Sequence, residues 1–273
     1  MTYGQVSELA YADLRPDQLQ ARIEAAPVAY VPWGALEWHS VHLPVGLDGL
    51  LAECIAERAV RRTGGLVLPV MYLPITALPH RFSVSFRAST VRAVLDDLLA
   101  ELARIGFKVV VLLSGHYAQG HDLVLMDAAE AAMTAHTIQV LAAPPMALVD
   151  SSYLDHAGRW ETAQLLATHP RLVDQRRLVQ ALQSYAAGHV ADLGILGELP
   201  TEATAASGEI AIEHAVNAIA GWVQQLLQSS DPQPLREFYA RRRSEYQPFV
   251  ERYFQGSYED AAAAWWHDRL KRD

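Results

Sequence analysis

With 273 residues, 51% of them hydrophobic, the chain is long enough for one large domain or a domain with an appendage, and its composition is that of a compact globular protein. A formal charge of -9 argues against a nucleic-acid partner, which would need clustered excess Lys and Arg, and points to small-molecule partners. The single cysteine, Cys54, rules out an intrachain disulfide or a thiolate zinc cluster and is expected to be a buried small hydrophobe. No stretch approaches the ~18 continuous apolar residues of a membrane span, and the first residues lack the basic and apolar regions of a signal peptide, so a cytoplasmic protein without membrane association is expected.

Residues 16–25 read as a short helix opened by Pro16. Residues 27–32 read as a buried strand that delivers the stretch 34–48 at its C-terminal end, where open α/β sheets place their ligand sites. A helix is predicted over 49–62, with Leu50, Leu51, Cys54, Ile55 and Ala59 on one face and Gly64 and Gly65 as its stop. A strand over 66–70 and an irregular stretch to Ser89 precede a helix over 90–105, ended by Gly106. Residues 107–113 are the clearest buried strand, running into Ser114, Gly115 and His116. A helix over 121–136 and a strand over 137–142 follow. Alternation of this kind predicts a three-layer α/β/α fold around a largely parallel sheet.

Beyond Pro144 the pattern is less regular. Helices are expected over 161–168, over 172–184 and, at greater length, over 209–227, with 188–208 loop-like. Residues 229–234 have linker composition. The domain reading is therefore a body over 1–228 and a helical C-terminal extension over 229–273, whose Trp265 and Trp266 need burial against the body or a neighbouring subunit.

The stretch 34–48 holds Glu37, His39, His42 and Asp48 within a dozen residues. In an extended chain Glu37 and His39 point to the same side, and Pro44 and Gly46 favour a turn that brings Asp48 back as a helix begins. Mixed carboxylate and imidazole donors suit Zn2+, Mn2+ or Fe2+ better than Ca2+. His116, directly after the best strand, emerges at the same end of the sheet. His156 can carry a proton near neutrality, and Glu161 follows as a ligand or a second proton carrier. Each has a plainer reading too: loop residues for the histidines, an N-cap for Asp48 and a first-turn carboxylate for Glu161.

Taken together, these pieces resemble the creatininase (creatinine amidohydrolase) family. The matching residues are Glu37, His39, His42, Leu43, Pro44 and Asp48; Gly115 and His116 after the strand; His156, Ala157, Gly158, Glu161 and Thr162; and Gly194, Gly197, Pro200, Ala203, Thr204 and Gly208 before the last core helix. The resemblance implies an α/β/α amidohydrolase with two divalent metals per chain, usually a homo-oligomer. It implies that Glu37, Asp48 and His116 hold one metal, that His39 and the bridging Asp48 hold the other, and that His156 is the catalytic histidine. Creatinine-hydrolysing members place a metal-binding Glu where this chain has Ala118, so Glu161 is expected to complete the second metal site and to share in catalysis. Ser40, Ser114 and Arg159 are further departures.

No tryptophan lies between Trp38 and Trp160 to enclose a creatinine ring, so the expected substrate is another small amide of lactam or formamide type. His42, His80, Tyr117 and Arg159 are its expected binding residues, with Arg81 and Arg87 near the mouth. Other branches resemble peptidases, and a family member with a decayed metal site would be a binding protein. Ser114 as a nucleophile fails the G-x-S-x-G elbow at both outer glycines.

Overall fold

The computed structural model describes residues 8–184 and 190–270. Strand β1 (Val28–Gly34) is central and pairs in parallel with β4 (Val109–Ser114), which pairs in parallel with β5 (Gln139–Ala143). On its other side β1 takes two short strands in succession, β2 (Leu66–Val67) along its first half and β3 (Met71–Tyr72) along its second. The strand expected over 66–70 is thus two pieces. Pro69 lies between them and has no N–H to give a ladder.

Every residue of β1 and β4 is buried, which explains why both read as unbroken apolar runs rather than alternating ones. Helices α2 (Leu47–Thr63), α5 (Arg159–Thr168) and α7 (Ala205–Gln228) pack together on one side of the sheet. Helices α3 (Ala88–Ile105) and α4 (Gln119–Ala135) form the other layer. Helix α1 (Pro16–Ala25) leads into β1, and α6 (Gln175–Ser184) is as expected. The irregular stretch expected from Gly188 begins outside the described residues; from Val190 on it holds two short 3-10 turns, Val190–Leu193 and Pro200–Glu202. Cys54 is free but only half-buried, because its turn of α2 also carries the solvent-reaching Arg58.

The expected linker is short: α8 (Gln233–Tyr253) starts soon after α7 and is followed by α9 (Tyr258–Leu270). Both pack on α4. The Tyr239 hydroxyl donates to the Val140 carbonyl and accepts the Ala142 N–H at 2.9 Å, satisfying backbone groups on the edge strand β5 that would otherwise be open to pairing. Arg242 and Tyr246 both reach Asp122 of α4, and the Ala88 N–H donates to Glu259 of α9 at 2.5 Å. Among the described residues no helix is long and apolar enough to cross a membrane.

Candidate metal centre

The C-terminal ends of β1 and β4 open toward the N-terminus of α2, and two glycines let them meet. A Cβ on Gly34 would lie 2.3 Å from the Gly49 nitrogen, and one on Gly115 would lie 2.0 Å from the Asp48 carbonyl oxygen. Neither strand end could approach the helix start with a side chain there. Gly115→Ala is accordingly expected to force the β4 terminus and Asp48 apart, lowering stability by about 1–3 kcal/mol as overpacking does and reducing bound metal; urea unfolding and metal analysis of the purified variant check both.

After Gly34 the chain is irregular rather than extended. Glu37 and His39 therefore converge through a loop closed by the Glu37 N–H to the Val45 carbonyl at 2.8 Å, not through strand alternation. Asp48 lies in the first turn of α2, past its N-cap Gly46, so its side chain is not spent on capping. Glu37 Oε2 is 2.9 Å and Asp48 Oδ2 3.4 Å from His116 Nδ1. His39 Nε2 is 2.9 Å from Asp48 Oδ1 and 3.7 Å from Glu161 Oε2. Among the described residues three triads of donor atoms, each within 4.8 Å, result: the fully buried Glu37–Asp48–His116 and His39–Asp48–Glu161, which share Asp48, and Glu37–His39–His156, whose His156 is only half-buried.

The second nitrogen of each imidazole is held by a backbone carbonyl. His39 Nδ1 lies 3.0 Å from the Glu37 oxygen and His116 Nε2 3.0 Å from the Ile75 oxygen. A carbonyl only accepts, so those nitrogens carry protons and the opposite ones face the carboxylates. Glu37 Oε1 accepts the Leu78 N–H and Glu161 Oε2 the Ala157 N–H at 2.6 Å. By contrast, Glu37 Oε2, His39 Nε2 and both Asp48 oxygens are buried without an aligned hydrogen bond, although they lie close together. Native interiors rarely leave such atoms unpaired. Three carboxylates and two imidazoles turned inward on a common space fit divalent cations.

Electrostatics say the same. Burial works against charge on both rings, but Asp48 and Glu161 raise His39 to about 10, and Glu37 with Asp48 raises His116 well above its ordinary value. Without metal, protons balance the carboxylates; a metal entering must displace them. Burial pushes Glu161 well up, against the pull of His39 and with help from Asp48 and Asp155. Among the described residues three that are not glycine have left-handed backbones, Ser40 at φ 59°, Thr76 at 66° and Ala157 at 49°. Each follows a residue of the site: His39, Ile75 with its carbonyl on His116, and His156. Strain of about 1–3 kcal/mol at such a residue is held in place by surrounding structure and clusters at functional sites.

A cavity of about 540 Å3 opens onto the centre, lined by Glu37, His116, Tyr117, Ala118 and His156. The His156 ring stacks on His39 with centroids 4.3 Å apart, and its Nε2 is 3.0 Å from the Trp38 carbonyl. Burial, then the charge on His39, holds it down to about 4.

Of the expected substrate-binding residues only Tyr117 lines this cavity. His42 is 2% exposed with Nε2 3.0 Å from the Thr162 hydroxyl, tying the first loop to α5. His80 stacks on Trp38 at 4.7 Å, and Arg159 is drawn to Glu198 at 2.7 Å. Arg81 lies over Phe82. Glu161, expected both as ligand and as proton carrier, does not line the cavity either, so the geometry favours only the ligand part. Ser114 is fully buried and donates to the His116 carbonyl at 2.7 Å, which leaves it no nucleophilic role.

Two further residues, weaker candidates from sequence, support the centre: His121, which follows His116, and Asp155, in the acid and imidazole cluster with His156. His121 Nδ1 accepts the Ile75 N–H, and its ring stands edge-on to His116 at 5.0 Å. Asp155 accepts the N–H groups of Trp160 at 2.7 Å and Glu161 at 3.1 Å, binding the start of α5; burial carries it up to about 7 against those two bonds. An acid five and six residues before its amide partners carries no spacing signal beyond its place beside His156.

A parallel sheet whose strand ends present a buried cluster of carboxylates and imidazoles beneath an open cavity defines a hydrolase with a candidate metal site. Residues 12–223 match the family described as creatininase, creatinine amidohydrolase. The chain belongs to the creatininase family, hydrolases that act on carbon–nitrogen bonds. It is 29% identical over 188 residues to the creatinine amidohydrolase of Pseudomonas putida, covering 59% of this chain and 72% of that one. It is also 29% identical over 220 residues to the mycofactocin precursor peptide peptidase of Mycolicibacterium smegmatis (strain ATCC 700084 / mc(2)155), covering 73% and 85%. A manganese creatininase structure superposes with a TM-score of 0.69 at 23% identity, covering 80% of this chain and 98% of that one, and a zinc–zinc creatininase variant does so with the same values.

Proposed function

We propose that the protein hydrolyses the carbon–nitrogen bond of a small non-peptide or cyclic amide, of lactam or formamide type and other than creatinine, using two divalent cations. One would be held by Glu37, Asp48 and His116, the other by His39, Asp48 and Glu161. The observation that carries this reading is the convergence of buried carboxylates and imidazoles on a shared Asp48, with Glu37 Oε2, His39 Nε2 and both Asp48 oxygens lacking an aligned hydrogen bond. Zinc, manganese or iron suits this donor set, and manganese and zinc are the metals named for the similar creatininases. Such a pair of cations, when bound, polarises an amide carbonyl and lowers the pKa of a water toward ~7.

The chain's own residues supply orientation and proton transfer. The Ile75 and Glu37 carbonyls aim the two ligand imidazoles, and the Leu78 and Ala157 N–H groups aim the two glutamates. His156 stands at the cavity wall with Nε2 engaged by Trp38, so Nδ1 is the atom left to accept a proton and pass it to the leaving nitrogen. Ala118 in the wall, where creatinine-hydrolysing members place a metal-binding Glu, weighs against creatinine.

His156→Ala is expected to keep its full metal content and lose turnover by about 10²–10⁴-fold; metal analysis and rate measured on one preparation check it. The test of the whole reading is a screen of amides, lactams and formamides with metal-loaded and metal-stripped protein, read by mass for gain of water. Turnover that survives metal removal would overturn it. A second reading, peptide cleavage, draws on the broader match to the mycofactocin precursor peptide peptidase; peptides in the same screen separate the two.

A further inference from the structure

The outer wall of the cavity comes from the C-terminal extension, which lies beyond the residues matched to the family. Phe249 of α8 and Ala262, Trp265, Trp266 and Arg269 of α9 line the same cavity as Glu37, His116 and His156. The extension is fixed there rather than loosely apposed. Arg242 and Tyr246 both bond Asp122, Arg243 reaches Asp127 at 2.8 Å and Glu130 at 2.7 Å, and a Cβ on Gly120 would already touch the Tyr258 ring at 3.3 Å.

Within that wall Trp266 is 7% exposed and stands perpendicular to Trp265, centroids 4.9 Å apart. The Arg269 guanidinium sits 4.5 Å from the centre of the Trp265 ring. Trp265 is therefore held by neighbours while remaining half-buried on the cavity. Indole offers a large rigid surface whose preferred partner is another flat ring, offset or edge-on. The polar lining has vacancies as well. Thr76 Oγ1 and Arg242 Nε, on residues 9% and 2% exposed, and Gln119 Oε1 have no hydrogen-bond partner. A cavity of about 540 Å3 is in the range that encloses a drug-sized molecule.

We propose that α8 and α9 form the specificity wall of the active site and select amides that carry a planar aromatic or heteroaromatic group, seated against Trp265 while the amide lies at the metal centre. Resting on the metal-hydrolase reading, this adds the chemistry of the substrate's far end.

The test uses full-length, metal-loaded protein and two hydroxamates, acetohydroxamate and benzohydroxamate, whose metal-chelating end is the same and of which only the second bears a ring. Their affinities are measured by calorimetry for the wild type, Trp265→Ala and Trp265→Phe. The expected result is at least tenfold tighter binding of benzohydroxamate by the wild type, most of that advantage kept in Trp265→Phe, and less than a threefold advantage in Trp265→Ala, with acetohydroxamate within twofold throughout. Acetohydroxamate thus reports an intact metal end in each variant. Should Trp265→Ala not fold, Ala262→Phe, which adds bulk one turn away on α9, is expected to weaken benzohydroxamate alone by tenfold or more. Absence of the phenyl advantage in the wild type, or its survival in these variants, overturns the wall. Failure of metal-loaded wild type to bind either hydroxamate overturns the metal-centre reading, and the wall with it.

Discussion

Asp48→Ala is expected to remove bound metal and activity together while leaving the chain folded. Asp48 is the one side chain common to the two fully buried donor triads, with Oδ1 turned to His39 and Oδ2 to His116. Without it the first site keeps Glu37 and His116, and the second keeps His39 and Glu161 at 3.7 Å. Neither pair closes a site for a divalent cation, which takes at least three protein ligands in catalytic zinc centres. The chain should stay folded because Asp48 does not cap α2, although loss of the carboxylate that pairs with the buried His39 and His116 is expected to lower its stability.

The readout needs no substrate. A ligand present at a thousandfold its dissociation constant stabilises the native state by about 4 kcal/mol, roughly 10 °C in Tm for a chain of this size. Wild type should show that metal-induced shift, His156→Ala should show it unchanged, and Asp48→Ala should lose it along with the metal found by elemental analysis. An Asp48→Ala protein that keeps the shift, the metal or the turnover would refute the dinuclear centre.

The sheet was legible in the sequence because burial on both faces leaves continuous apolar strands, and because Gly64 and Gly106 end helices where the periodicity stops. Pro69 broke one predicted strand through a missing donor that an apolar count does not register. The side chains of the candidate centre were nameable from residue type and motif order, but the manner of their meeting was not. Glu37 and His39 converge through a loop with Ser40 at φ 59°, a conformation that a serine does not announce.

His42 was indistinguishable in sequence from a substrate-binding histidine. Only the packing of α5 shows that Thr162 takes it up. The same limit hid the outer wall. Trp265 and Trp266 declared a need for burial, but which surface would meet it depended on where α8 docks, and that is decided by Asp122 and the β5 edge, far away in the chain.

That docking can be broken at one atom. Asp122 Oδ2 accepts from Arg242 Nη2 at 3.1 Å and from the Tyr246 hydroxyl at 2.7 Å, in an ion pair whose side chains are 1% and 2% exposed. Asp122→Ala leaves the guanidinium buried with only Glu245, itself 41% exposed, to balance it. Breaking a buried pair on one side costs about 3–5 kcal/mol, because an uncompensated charge remains.

The intact pair is nevertheless not a strong stabiliser in its own right. Burial raises the Asp122 carboxyl above its ordinary value in spite of Arg242 and Tyr246. A carboxyl raised in the folded state contributes stability that is full below its unfolded pKa of ~3.9 and is lost as pH climbs through the folded value. At neutral pH the desolvated charges are tolerated rather than favoured. The double variant Asp122→Val with Arg242→Met, which removes both charges and keeps the space filled, is therefore expected to recover most of the loss seen in Asp122→Ala. Urea unfolding at neutral pH measures both. Equal loss in the single and double variants would show that α8 is held by the charges themselves, and that the wall they position depends on an ion pair rather than on packing.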